Sequence, residues 1–282
     1  MSDDTAAALL ARKTWRTLEP LHGAIYFVPE AAEAYARLGI TGPAGYFASR
    51  AAPMGAVPAD VVVSTFFNFN PELVASAIPE SWNLTTPAEM VAARFEAVDA
   101  SWRRALGEQV LRSPEMARAA ELARTAAEQV GHRLEGRPLA AAHCDVTWPE
   151  APHLVLWHAQ SILREYRGDG HIAQLVVHGL SGPEALVTHA AAGDVPVRAL
   201  KATRAWPDEA WDAAVDSLRG RGWLEPGEEL RFTETGARYR REIEDGTDRL
   251  AAAPYVALGD EACTELRTLA RPWSKVMAEL LR

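Results

Sequence analysis

Cysteine is nearly missing from this 282-residue chain: Cys144 and Cys263 are the two present, and they form no CxxC pair. So few thiols suit a reducing compartment and offer no paired ligands for a metal. No apolar run approaches the roughly 18 residues of a membrane span. Met1-Ser2-Asp3-Asp4 is acidic where a secretion signal is basic, so the expected location is the cytoplasm. HExxH, GxGxxG after a strand, the Walker A loop and GxSxG are all missing, so neither a metal nor a nucleotide cofactor is expected. Positive charge is short as well. Lys and Arg total 29 against 38 Asp and Glu, a formal charge of −9. That field repels phosphate backbones unless a local basic patch overcomes it.

What is present is the balance of a folded protein, 48% hydrophobic and 24% charged, with length for two domains. The two halves repeat each other. Gly39-Ile40-Thr41-Gly42-Pro43 returns as Gly179-Leu180-Ser181-Gly182-Pro183, Val57-Pro58 as Val195-Pro196, and Pro71-Glu72 as Pro207-Asp208. A repeat on this scale implies two copies of one domain, with a site where they meet. The expected division is an N-terminal repeat over 1–130, a connector over 131–152 and a C-terminal repeat over 153–282.

Apolar periodicity predicts helices almost throughout. Residues 6–38 read as two helices separated near Pro20, and 43–52 as a short helix opened by Pro43. Val57 to Phe69 is β-branched and aromatic, yet its counterpart in the second half is helical, so it is read as a buried helix. The connector is expected to be irregular. Leu154 to Arg167 reads as a helix, broken by Gly168-Asp169-Gly170 and resumed from His171 to His178. Further helices cover 183–192, 197–204 and the segment from Pro207 to the glycines 220 and 222. Trp223-Leu224 and Leu230 to Thr233 flank Glu225-Pro226-Gly227-Glu228 as a two-stranded hairpin. Long helices follow over 235–250 and 259–282.

The order helix, helix, Ser217-Leu-Arg-Gly-Arg-Gly-Trp-Leu224, hairpin, then Phe232-Thr-Glu-Thr-Gly-Ala-Arg-Tyr239 and a long helix resembles the winged-helix core of MarR-type regulators over Val197 to Leu250. The whole chain also resembles an actinobacterial family with such a C-terminal half. Ile78 to Thr85 resembles the same junction with its wing deleted. The resemblance therefore implies a mainly α fold of tandem winged-helix-like domains, with a β-hairpin wing in the second half only. It also implies DNA binding, which the residues oppose. Asp208, Glu209 and Asp212 lie where a recognition helix meets bases and phosphates, Glu225, Glu228 and Glu229 crowd the wing beside Arg231, and Arg219 and Arg221 sit at the far end of the helix.

Candidate site residues lie in apolar settings. His158 shares a helix face with Glu165, the arrangement of a tuned general base, and Asp169 precedes His171 between glycines. These four form the candidate catalytic set; a structural histidine and a helix-capping aspartate are the competing readings. His22 can be laid over His158, so the two would face one central cavity. Arg50, amid Ala, Pro and Met, needs an anionic partner, either an internal carboxylate or a ligand. Asn68 between phenylalanines suits a turn or an apolar pocket, while Asn70 before Pro71 suits a turn. Arg164 and Trp206 complete the candidate ligand-binding set with His22, Arg50 and Asn68.

The favoured expectation is a protein that binds a small molecule between its halves, or a cofactor-independent enzyme doing acid/base chemistry on an anionic or aromatic metabolite. Nucleic acid and membrane are not expected as partners, and the chain is read as a monomer or homodimer. A MarR-like transcriptional regulator is the alternative, and an interaction module using the acidic winged face is a third reading.

Overall fold

A computed structural model of the protein describes residues 3–280. Its first helix, α1 (Asp3–Gly23), runs through Pro20, where the sequence suggested a break. Proline removes one intrahelical N–H, and here the helix ends soon afterwards, so little of it is disturbed. Although Pro272 also lies inside a helix, proline more often starts helices here, in the first turn where its missing N–H costs nothing. It opens α2 (Pro29–Ala36) and α3 (Pro43–Ala51). The β-branched segment then forms α4 (Ala59–Phe66), helical as expected, followed by α5 (Pro71–Ala75) and α6 (Ser81–Leu84).

A longer helix, α7 (Pro87–Leu106), starts at a capping box in which Thr86 and Glu89 satisfy each other's backbone N–H. Next come α8 (Glu108–Leu111) and α9 (Pro114–Glu128). The supposedly irregular connector contains α10 (Pro138–Cys144), with Leu139, Ala140 and His143 buried.

The spine is α11 (Pro152–Val177), unbroken across Gly168-Asp169-Gly170. The glycines there do not turn the chain, and Gly170 serves packing: a Cβ on it would lie 3.1 Å from both Leu250 Cβ and an Arg137 nitrogen. The chain continues through α12 (Gly182–Ala191), α13 (Val197–Arg204), α14 (Asp208–Gly220), α15 (Glu234–Leu250), α16 (Ala253–Leu258) and α17 (Asp260–Glu279).

The fold is mainly helical, and among the described residues there is no strand. The expected hairpin wing reduces to one antiparallel bridge, Leu224 to Phe232, closed by Glu225 N–H donating to Arg231 O and Thr233 N–H to Trp223 O. Pro226 has no N–H to extend the ladder, and Thr233 already caps α15. None of the described helices is long and apolar enough to cross a membrane.

Apolar side chains divide into two clusters. One gathers α1 to α10, the first half of α11 (Val155 to Tyr166), α16 and α17. The other gathers Leu175 at the end of α11, Leu186, Leu200, Trp211, Leu218, Trp223 and Ile243. Helix α11 therefore belongs to both, and the junction between them lies beside its middle.

Candidate functional site

Two short helices and a tight turn form the most regular part of the second cluster. Helix α13 follows Pro196 and ends on Ala205, a left-handed residue at φ 54° and ψ 29°. Trp206-Pro207 completes the turn, and α14 opens with Asp208 and Glu209, whose charges favour a helix N-terminus. Leu200, Trp211, Val215 and Leu218 anchor the pair inward. The bridged turn is held from below. Thr233 Oγ1 donates to Gly222 O at 2.6 Å and accepts from Gly236 N–H at 3.0 Å. A Cβ on Gly236 would lie 2.0 Å from Trp223 O, so only glycine lets α15 start there.

Charge on this face is more balanced than its sequence. Lys201 Nζ lies 2.6 Å from Asp208 Oδ1, and Arg231 is paired with Glu229. Arg198 is exposed and joins no ion pair among the described residues. Arg219 and Arg221 are occupied internally: Arg219 donates to the carbonyl of Gly227, and Arg221 to those of His178 (2.7 Å) and Gly179 (3.1 Å). Glu209, Asp212, Glu225 and Glu228 are exposed.

The first cluster grips this unit at its turn. Phe67, left-handed at φ 60°, brings Asn68 and Asn70 against residues 204–206. Asn70 N–H donates to Arg204 O (3.0 Å) and its Nδ2 to Ala205 O (2.7 Å), while Trp206 Nε1 donates to Asn68 O (2.9 Å). Gly182 is needed at the same point, because a Cβ would lie 2.6 Å from Phe67 O. The sequence grouped Asn68 with Trp206, and the structure brings them together as structural partners.

The candidate catalytic set is not brought together. Glu165, fully buried, is held by Arg50 (2.8 Å) and Arg164 (3.0 Å), not by His158. Burial raises its pKa, but the two guanidinium groups outweigh that and hold it down at about 2. Arg50 also donates to Tyr46 OH at 2.8 Å, so its anionic partner is internal. His158 packs edge-on against Trp148 and Phe95, and desolvation pushes its pKa down to about 3.

His171 Nδ1 lies 3.0 Å from Thr247 Oγ1, and Asp169 instead accepts from Ala140 N–H at 2.9 Å. Desolvation lowers the His171 pKa to about 3 and raises that of Asp169 to about 7. His22 stacks on Trp157 at 5.1 Å with neither ring nitrogen hydrogen-bonded. His22 and His158 line neither of the two clefts at the junction, so they do not face a shared cavity there.

Those clefts, of about 710 and 780 Å³, share Trp15, Arg16, Glu19 and Arg164 in their walls. The larger is lined by many charged side chains, several of them paired internally: Arg50 with Glu165, Arg167 with Asp248 (2.6 Å), and Arg240 with Glu244 (2.8 Å). The smaller is walled by Trp15, Tyr26, Tyr46 and Phe69, with Arg164 and Arg204. Its arginine at 204 escaped the sequence reading, because at the end of an exposed basic helix it looks like a solvated charge. The turn at Trp206-Pro207 that folds it back was its one visible signal.

The sequence matches the helix-turn-helix family over residues 11–280. No curated protein and no solved structure matches it. The family match overturns two expectations: that a small-molecule-binding protein or cofactor-independent enzyme is the main reading, and that nucleic acid is excluded as a partner. The acidic residues misled because their sequence does not show that Asp208 and Glu229 are already neutralised within the protein.

Proposed function

The chain belongs to the helix-turn-helix family, and from that premise we propose that it is a DNA-binding regulator acting in the cytoplasm. The match over residues 11–280 carries this reading. Helices α13 and α14 with the turn at Ala205 are the proposed docking unit, and the bridged turn between Leu224 and Phe232 stands in for a wing. Arg198, Lys201 and Arg231 would contact phosphates, and α14 would face the groove.

The finer proposal is a MarR-like tandem, with repeats over 1–130 and 153–282 joined by 131–152. Its support is local and geometric. Helix α3 begins at Pro43 just after Gly42, and α12 carries Pro183 in its first turn just after Gly182. Helices α4 and α13 each follow a proline N-cap and end on a non-glycine residue at positive φ. Phe67 and Ala205 are the two such residues among those described, and their turns dock against each other, as a pseudo-twofold axis would require. One chain would thus present what paired subunits present elsewhere.

The test is selection of duplexes from a random-sequence DNA pool, followed by fluorescence anisotropy on the enriched sequences. Enrichment of a defined motif supports the reading. No enrichment, together with no retention of duplex DNA at about 50 mM salt, where phosphate contacts are strongest, overturns it.

A further inference from the structure

The excess of acidic residues hides one basic face, built by three helices of the long-range packing. On α17, Arg267, Arg271 and Lys275 follow one another at four-residue spacing and so share a side of the helix. That side borders α1: Arg267 donates to Thr14 Oγ1 (2.9 Å) and Ser274 Oγ to Thr17 O (2.5 Å). Lys13 and Arg16 stand exposed on α1 beside these contacts. On the other flank of α1, Arg241 and Arg249 of α15 bracket Asp245, which pairs with Arg12 of α1 at 3.3 Å.

Lys13, Arg16, Arg241, Arg249, Arg271 and Lys275 are exposed, and neither they nor Arg267 forms an ion pair among the described residues. The neighbouring carboxylates are spent elsewhere: Glu19 on Arg164, Glu244 on Arg240, Asp245 on Arg12 and Glu265 on Arg118. Asp260 and Glu261 start α17 and Glu279 ends it, so the middle of the row carries no carboxylate of its own. Cations crowded without counter-charges repel one another, and a polyanion laid across them releases its condensed counterions. Val276 is the one large apolar side chain exposed on these three helices among the described residues, so a membrane would find little to bury there.

We propose that this α1–α15–α17 face is a second docking surface for duplex DNA, one that holds the phosphate backbone without reading sequence. Cations four residues apart recur every ~6 Å along a helix, so a line of phosphates meets several at once. The docking unit of α13 and α14 belongs to the other apolar cluster, and one chain then holds two duplex segments. That the polyanion is DNA rests on the helix-turn-helix reading; the unpaired charge of the face does not.

The test saturates the full chain with the unlabelled selected duplex, which takes the docking unit, and then titrates a labelled duplex of unrelated sequence by fluorescence anisotropy. A second duplex is expected to bind, with a slope of log affinity against log salt of about −4. Arg271→Gln with Lys275→Gln should lower the magnitude of that slope by about 2, and Lys13→Gln with Arg16→Gln should do the same from the neighbouring helix. All four positions are exposed, and a melting curve of each variant serves as the fold control. No second duplex bound, a slope shallower than about −2, or binding indifferent to both pairs of substitutions overturns the face. Tighter binding to one-to-one phosphatidylglycerol–phosphatidylcholine vesicles than to DNA, weakened by the same substitutions, overturns it in favour of a membrane. If no motif is selected, the docking unit fails as a sequence reader, and the same titration on the free chain still decides the face through the paired substitutions.

Discussion

Asn70 donates from Nδ2 to the carbonyl of Ala205 at 2.7 Å while its Oδ1 accepts from Glu72 N–H at 2.9 Å, so one side chain both caps α5 and fastens the turn of the docking unit. Removing it should loosen the junction more than the fold. Asn70→Ala is expected to cost about 1–2 kcal/mol, the range for a lost helix cap and a partly buried hydrogen bond. Hydrogen exchange should accelerate over 197–206 and stay unchanged in α7 and α9. Uniform acceleration, or none, would show that the turn is not held there.

Glu165 was legible as a buried carboxylate, but the structure gives it two cations to neutralise. Glu165→Ala leaves Arg50 and Arg164 without their shared partner in a buried setting, which typically costs about 3–5 kcal/mol. Equilibrium denaturation in urea measures it. A loss under 1 kcal/mol would mean that water already reaches these charges.

Six histidines, His22, His143, His153, His158, His171 and His189, are held below their ordinary pKa by burial and together shape the response to acid. Desolvation lowers His143 to about 4 and His158 and His171 to about 3, each below the ordinary 6.5. The unfolded chain therefore binds more protons as pH falls through 6.5, and the stability these groups contribute above that pH is progressively lost below it. Asp169 works the other way. Raised from 3.8 to about 7, it favours the folded state at low pH and loses that contribution as pH rises through 7. Melting temperature should thus fall from pH 6.5 to 4.5. His158→Phe should flatten the fall and Asp169→Asn steepen it. The opposite ordering of the two variants would refute these environments.

Periodicity and proline placement made most of the helices legible, and α4 was legible despite its β-branched run because its counterpart in the second half reads as helical. Two local signals misled. Gly168-Asp169-Gly170 looked like a break, yet Gly170 admits Leu250 and Arg137 from elsewhere in the chain, a demand no local pattern reveals. The 223–233 segment looked like a hairpin, but Pro226 leaves room for one bridge. At the site, His158 and Glu165 share a helix, and spacing alone suggested a pair. Which partner a buried carboxylate takes is set by tertiary neighbours, here Arg50 more than a hundred residues earlier.

DNA binding should carry a shallow salt dependence. Each phosphate neutralised contributes roughly −0.9 to the slope of log affinity against log salt. Arg198, Lys201 and Arg231 are the cations placed to contribute, and two of them already hold carboxylates. A slope of about −2 to −3 is therefore expected. Arg198→Ala should lower its magnitude by about 1 and weaken all duplexes alike, since a phosphate contact carries no sequence information. Asp212→Asn, which removes an exposed carboxylate from α14, should instead raise affinity at low salt. A slope steeper than about −6 would require a basic surface elsewhere on the molecule. If Arg198→Ala has no effect on the slope, α13 does not meet the backbone, and the docking unit must be sought on another face.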